Sequence, residues 1–283
     1  MFAIKIPFFD IEQSCEANLF CYWRKIGPES VLVIDDTEAI LVSRKKDNVC
    51  FSCSFEEFCK KWYFYFDIGY DYCMLYDRLK ASLSSEEPAL LQALLKRRGV
   101  RMYRAEWYEC LLKAFLYAIL SKKDATKAVN ALTEIFGIKS VLHLYQRPSI
   151  KFKAFPSPAA LYAGAEGKSV EQTLDFLSED AAVCFGCFVS SVYADNFSCE
   201  KVRKTVSEFA QYASGFEFAK YITSEQLLKF AVLFMRHCSS NKNCFLGGKI
   251  AELANFSKFK HFATWYSELK DIAGFIEFAM VGG

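Results

Sequence analysis

LLKRRGVRMYRAEWYECLLKAFLYAILSKKDATKAVNALTEIFG, residues 94–137, decides how the rest of the chain is read. EWYECLLKAFLYAILS places Trp107, Leu111, Leu112, Phe115, Leu116 and Ile119 on one broad stripe at helical spacing. KDATKAVNALTEIFG repeats the pattern with Ala125, Val129, Leu132, Ile135 and Phe136 facing inward, and Gly137 stands where a helix ends. Two long amphipathic helices meet at Ser121-Lys122-Lys123-Asp124, a polar break too short for anything but a turn. Upstream, SSEEPALLQALLKR opens on serines and acids and closes on basic residues, the polarity that suits a helix dipole. DYCMLYDRLKASL before it is helical as well.

Further toward the N-terminus the period shortens. FAIKIPFF, SVLVIDD, AILVSRK and NVCFSCSF are short β-branched or aromatic runs separated by breaks such as KIGPES and RKKDN, which predicts strands over most of the first 65 residues. MFAIKIPFFDIEQ alternates like a strand. Ser54 followed three residues later by Glu57 marks a helix start ahead of the aromatic run Trp62-Tyr63-Phe64-Tyr65-Phe66, which is simplest as core. Downstream, YQRPSIKFKAFPSP reads as a loop, and nearly everything beyond residue 158 as helix, with breaks near 190–200 and 239–248. The predicted class is α+β. A small N-terminal antiparallel sheet domain (1–70) precedes a mainly α-helical array of two subdomains (71–283).

Composition narrows the function classes. Hydrophobic residues make up 53% of 283, with 28 Phe and 15 Tyr, enough to exclude wholesale disorder. Lys and Arg (35) nearly balance Asp and Glu (33), so any affinity for a polyanion must come from a local patch. Lys96, Arg97, Arg98, Arg101 and Arg104 form one basic run, continued by Lys122, Lys123 and Lys127. It meets phosphates or ends a solvated helix. There is no secretory signal and no run of the roughly 18 residues that spans a bilayer, so the expectation is an intracellular chain without a membrane partner. Twelve cysteines include two C-x-x-C pairs, Cys50/Cys53 and Cys184/Cys187. Both sit in apolar contexts, NVCFSCSF and AAVCFGCFV, so reduced core thiols are expected, not a metal site. His143, His237 and His261 show no ligand spacing.

Taken as a set, these motifs resemble the 8-oxoguanine DNA glycosylase family of the helix-hairpin-helix superfamily. FDIGYDYCMLYDRL is similar to the aspartate- and tyrosine-bearing segment that precedes a helix in that family. Gly99, Arg101 and Arg104 look like its G-x-R-x-x-R link. Glu106, Trp107 and Glu109 resemble its acidic–aromatic helix start, Phe136-Gly137 its helix ending and FPSPAAL its phenylalanine-proline segment. CYWRKI at 21–26 is similar to the leading domain. The likeness has fair continuity to about residue 162.

The resemblance implies double-stranded DNA as partner, a monomer, no cofactor, and removal of a damaged base by a lysine amine that forms a Schiff base with the sugar. FLGGKIAEL at 245–253 is similar to the part of the family's glycine hairpin around that lysine. By this resemblance Lys249 is the nucleophile, Gly247 and Gly248 approach phosphate, and Glu268 stands for the assisting aspartate. Lys122 and Lys123 occupy the turn that the family pushes into DNA, where its own residues are asparagines. The hairpin here is shorter and lacks its proline, and a long insertion precedes SGFEFAKYI. Too few residues follow Glu268 for the family's closing helices. A rival placement sets DNFSCEKVRKTV on the aspartate segment, with Glu200 at the acid position. The lysine position then falls near Ala181, with no glycine hairpin before it. That version is a DNA-binding or scaffold paralogue without catalysis.

Overall fold

A computed structural model of the chain describes residues 1–84, 87–145, 147–167, 169–193 and 205–239, together with Leu269, Phe275, Ile276, Phe278 and Ala279. By their packing the residues divide into two units: 1–34, 39–105 and 239–283 in the first, 35–38 and 106–238 in the second.

The first unit is built on a five-stranded sheet of β1 (Phe2–Ile4), β2 (Tyr22–Gly27), β3 (Ser30–Asp35), β4 (Glu38–Lys45) and β5 (Asn48–Phe51), in the order β1-β5-β4-β3-β2. β2 to β5 form a meander, and β1 lies antiparallel to β5 with Phe2 opposite Phe51. Two tight turns close it, and Asp36 and Lys46 take the left-handed conformation (φ 54° and 55°) that reverses the chain within two residues. Val31, Val33, Ile40, Val42, Val49 and Phe51 pack with Phe58, Trp62, Tyr65 and Phe66 into one core. The aromatic run of 62–66 therefore has the core role expected of it at Trp62, Tyr65 and Phe66, while Phe64 is exposed. It lies on a short helical stretch, α2 (Phe55–Glu57), a π-helical turn (Phe58–Trp62) and α3 (Tyr63–Tyr65), which begins with the Ser54/Glu57 capping box.

The N-terminal segment departs from its strand-like alternation. Only Phe2–Ile4 is strand, and α1 (Ile11–Ala17) follows, because Asp10 caps it by accepting the Gln13 amide at 3.0 Å. Asp10 donates its own amide to the Gly99 carbonyl at 2.8 Å. A Cβ at Gly99 would lie 2.3 Å from that of Asp10, so the close approach requires glycine.

Behind this approach lies a polar node. Asp67, buried and at φ 52°, accepts the Tyr72 hydroxyl at 3.0 Å and the Arg104 guanidinium at 3.1 Å. Arg101 is buried and donates to the carbonyls of Pro7, Phe8 and Asp67 at 2.8–3.1 Å. Asn18 holds the same link from the other side, donating to the Arg101 carbonyl and accepting the Tyr103 amide. α4 (Tyr72–Leu83) and α5 (Pro88–Lys96) complete the unit. Their apolar faces share a core with Leu269, Phe275, Ile276, Phe278 and Ala279.

In the second unit α6 (Trp107–Ile119) is buried on nearly every side, while Trp107 itself is 39% exposed. Phe115 stacks on Phe188 at 3.9 Å and 4°, with Phe218 and Phe230 edge-on to the pair. α7 (Lys122–Phe136) follows, with Ala125, Val129 and Leu132 inward as expected and Ile135 exposed instead. The stretch read as a loop contains a hairpin strand. β6 (Ile138–Leu142) pairs antiparallel with β7 (Ile150–Ala154), because IKFKA alternates and the residues before Pro148 supply the connection. α8 (Pro158–Glu166), α9 (Ser169–Thr173), α10 (Glu179–Tyr193), α11 (Val206–Ala213), a 3-10 turn (Glu217–Tyr221) and α12 (Ser224–Ser239) complete the unit.

Candidate nucleic-acid interface

The residues proposed to meet DNA fall into three groups. Lys122 and Lys123 are exposed and open α7, directly after the cap residue Ser121. Ser121 accepts the Asp124 amide at 3.2 Å and donates its hydroxyl to the Asp124 carboxylate at 2.7 Å, which fixes the junction. The two exposed ammonium groups stand in the first turn of a 15-residue helix, where the positive end of the helix dipole adds to their field. One turn on, Lys127 lies 3.6 Å from the Phe176 ring centroid.

A polar cluster lies in the N-terminal half of the preceding helix. On α6, Lys113 and Glu109 form a buried ion pair one turn apart, and the other Glu109 oxygen accepts the Asp36 amide at 3.2 Å. Asp35 accepts the Glu106 amide at 2.9 Å, and the Glu106 carboxylate caps α6 by accepting the Tyr108 and Glu109 amides. Burial above all, with the Asp35 and Asp36 carboxylates adding to it, pushes Glu106 up to about 7 against the pull of those amides. His237 on α12 is fully enclosed, and burial followed by the Arg236 and Lys113 charges lowers it to about 3, so the imidazole is neutral. The sequence pattern gave little notice of this polar cluster. Glu109 and Lys113 at helical i,i+4 spacing were its one visible sign.

The second group, the basic run, separates into internal ties. Arg101 is consumed by carbonyls and Arg104 by Asp67. Arg97 donates to the Ala279 carbonyl at 2.8 Å, and Arg98 lies 3.8 Å over the Phe8 ring. Arg101 and Arg104 thus tie the first unit together from within, while Lys96 and Arg98 of the same run are exposed.

The third group, Gly247, Gly248, Lys249 and Glu268, lies outside the described residues, as does Glu200 of the rival placement. Ala181 is described. It is the third residue of α10, which follows α9 through the turn Leu174-Asp175-Phe176-Leu177-Ser178, a turn with neither glycine nor lysine. Among the described residues no group of three or more His, Cys, Asp or Glu side chains is placed to hold a metal ion. Cys50 lies buried on β5 and Cys184 buried on α10. No helix of the described residues is long and apolar enough to cross a membrane.

Residues 8–111 match the family model of the 8-oxoguanine DNA glycosylase N-terminal domain. No curated protein matches the chain. Among solved structures, MBOgg1 in complex with a low-affinity DNA ligand superposes with a TM-score of 0.76 at 18% identity, covering 99% of this chain and 93% of the other. The 8-oxoguanine glycosylase/lyase of Clostridium acetobutylicum, in complex with duplex DNA containing cytosine opposite 8-oxoG, gives 0.76 at 18% identity, covering 98% and 91%. The 3-methyladenine DNA-glycosylase of Archaeoglobus fulgidus gives 0.67 at 15%, covering 99% and 97%. MBOgg1 and the Clostridium acetobutylicum glycosylase/lyase thus share the fold of this chain over almost its whole length. In sequence the likeness to the 8-oxoguanine DNA glycosylase N-terminal domain lies at residues 8–111, and in shape the chain follows the glycosylase fold along its whole course.

Proposed function

We propose that the chain is a DNA glycosylase-like protein that engages duplex DNA at damaged purine bases and removes them in base excision repair. The observation that supports this most is an N-terminal glycosylase domain on the fold of an enzyme held on duplex DNA containing cytosine opposite 8-oxoG. In this reading Lys122 and Lys123 at the start of α7 grip phosphates flanking the lesion, and the damaged base leaves the stack. The Lys249 amine attacks the sugar C1′ as the bond from C1′ to the base nitrogen breaks, and the base departs with a proton. Glu268 stabilises the cationic sugar and passes protons as the ring opens to an imine. Gly247 and Gly248, lacking Cβ, let backbone amides reach a phosphate.

Borohydride trapping tests it. The protein is incubated with labelled duplexes bearing 8-oxoguanine or an abasic site, then reduced. A covalent protein–DNA band that vanishes in Lys249→Gln is the expected result. A band that persists in that variant would move the nucleophile elsewhere.

A second reading is favoured by α9 and α10. If this helical pair is the family's hairpin, Ala181 stands where the nucleophile belongs and the turn 174–178 brings no glycine to the phosphate. The protein would then bind damaged duplexes without Schiff-base chemistry. Salt-sensitive duplex binding with no trapped band on either substrate is its signature.

A further inference from the structure

In the first unit two cysteine sulfurs face each other without a bond. Cys15, on α1, is 1% exposed, and Cys21, just before β2, is partly open to solvent. Their Sγ atoms are 3.7 Å apart, and the Tyr65 hydroxyl donates to the Cys21 sulfur at 3.4 Å. The Tyr103 hydroxyl faces Cys15 from the core side. Asn18 lies between the two cysteines in sequence and is itself pinned to the Ser14 and Arg101 carbonyls, which holds the segment 15–21 at its middle. A disulfide needs its sulfurs about 2.05 Å apart, and closing the gap asks for side-chain rotation with little movement of the chain.

We infer that Cys15 and Cys21 form a reversible thiol–disulfide site, oxidised by a hydroperoxide and reduced by a small thiol. Cys21, the more exposed of the two residues and the one whose sulfur accepts the Tyr65 hydroxyl, attacks the peroxide. Its sulfur gains one oxygen as a sulfenic acid and the peroxide leaves as water (or alcohol). The Cys15 sulfur then displaces hydroxide from that sulfenic acid. The S–S bond forms, the Cys15 proton joins the hydroxide, and a second water leaves. In total two thiols lose two hydrogens and one peroxide is reduced. Burial raises the Cys15 thiol well above its ordinary range, which makes it the resolving partner. Cys59 and Cys73, both exposed, serve as internal controls, since accessibility alone would oxidise them first.

The test is peptide mapping of the full-length protein after graded hydrogen peroxide, with free thiols alkylated before digestion. The expected product is a Cys15–Cys21 cross-link, lighter by two hydrogens, that appears before Cys59 or Cys73 is modified and reverts with dithiothreitol. In Cys15→Ser the cross-link is absent and Cys21 accumulates as sulfinic acid. Cys21→Ser, altered at the more open position, shows no oxidation of Cys15. Oxidation of Cys59 and Cys73 ahead of the pair, or Cys21 overoxidised in the unaltered protein without a cross-link, would overturn the assignment. None of these readouts involves DNA, so the result stands apart from the glycosylase reading.

Discussion

Two buried ionisable residues give the second unit opposing responses to pH. His237 has an ordinary value of 6.5 and a folded value of about 3. The unfolded chain therefore binds the extra proton between those limits, and the contribution of His237 is complete above pH 6.5 and is lost as pH falls toward 3. From pH 7 to pH 5 the loss is about 2 kcal/mol. Glu106 runs the other way. Its folded value of about 7 exceeds the ordinary 4.5, so the folded state holds the extra proton in that window. Raising pH from 5 to 7 then costs a comparable amount, reduced by the partial exposure of the carboxyl. Urea unfolding at pH 5 and pH 7 separates them. Relative to the unaltered protein, His237→Gln is expected to gain stability on acidification and Glu106→Gln to lose it. Identical pH profiles for all three proteins would mean that neither residue titrates as its burial demands.

At the scale of elements, the start of α7 is where the proposed function meets a single helix. Replacing Lys122 and Lys123 by Gln removes two charges from an exposed first turn and leaves the Ser121 cap in place. Duplex affinity is expected to fall for every sequence alike. The slope of log K against log salt should shrink by roughly 0.9 for each phosphate no longer neutralised, which titrations at several salt concentrations measure. An unchanged slope would place the phosphate grip elsewhere.

Elements were legible in the sequence where period and cap agreed. α6 and α7 follow their apolar stripes, and Ser54 with Glu57 forms the capping box expected of it. α1 was hidden because seven residues give too little helical period to outweigh an alternating start, and the Asp10 cap was the overlooked sign. β7 was hidden by the prolines around it, although Ile150, Phe152 and Ala154 alternate with lysines. The arginines misled for another reason: a guanidinium on carbonyls and one in water look alike in a string of letters, and only tertiary structure tells Arg101 from a phosphate ligand.

For the whole molecule, the most informative packing involves residues near the C-terminal end. The segment beyond Glu268 looks too short in sequence to close the fold, yet Phe275 is fully buried against Tyr72 and Tyr76, and Phe278 and Ala279 join the same core. Phe275→Ala is expected to cost about 3–5 kcal/mol, as for other large-to-small changes in a core, and chemical denaturation reads it directly. A change below about 1 kcal/mol would mean that this segment rests on the unit without stabilising it.

The tie between Arg97 and Ala279 also bears on how the chain is made. A polypeptide leaves the ribosome from its first residue onward. α4 and α5 are therefore synthesised long before the phenylalanines that share their core. Apart from the turn 35–38, the second unit is one continuous run, 106–238, and has all its own residues in hand earlier. The half of the protein that is translated first is thus the half that finishes last, and in the interval its uncovered leucines and tyrosines are the surface a chaperone would hold.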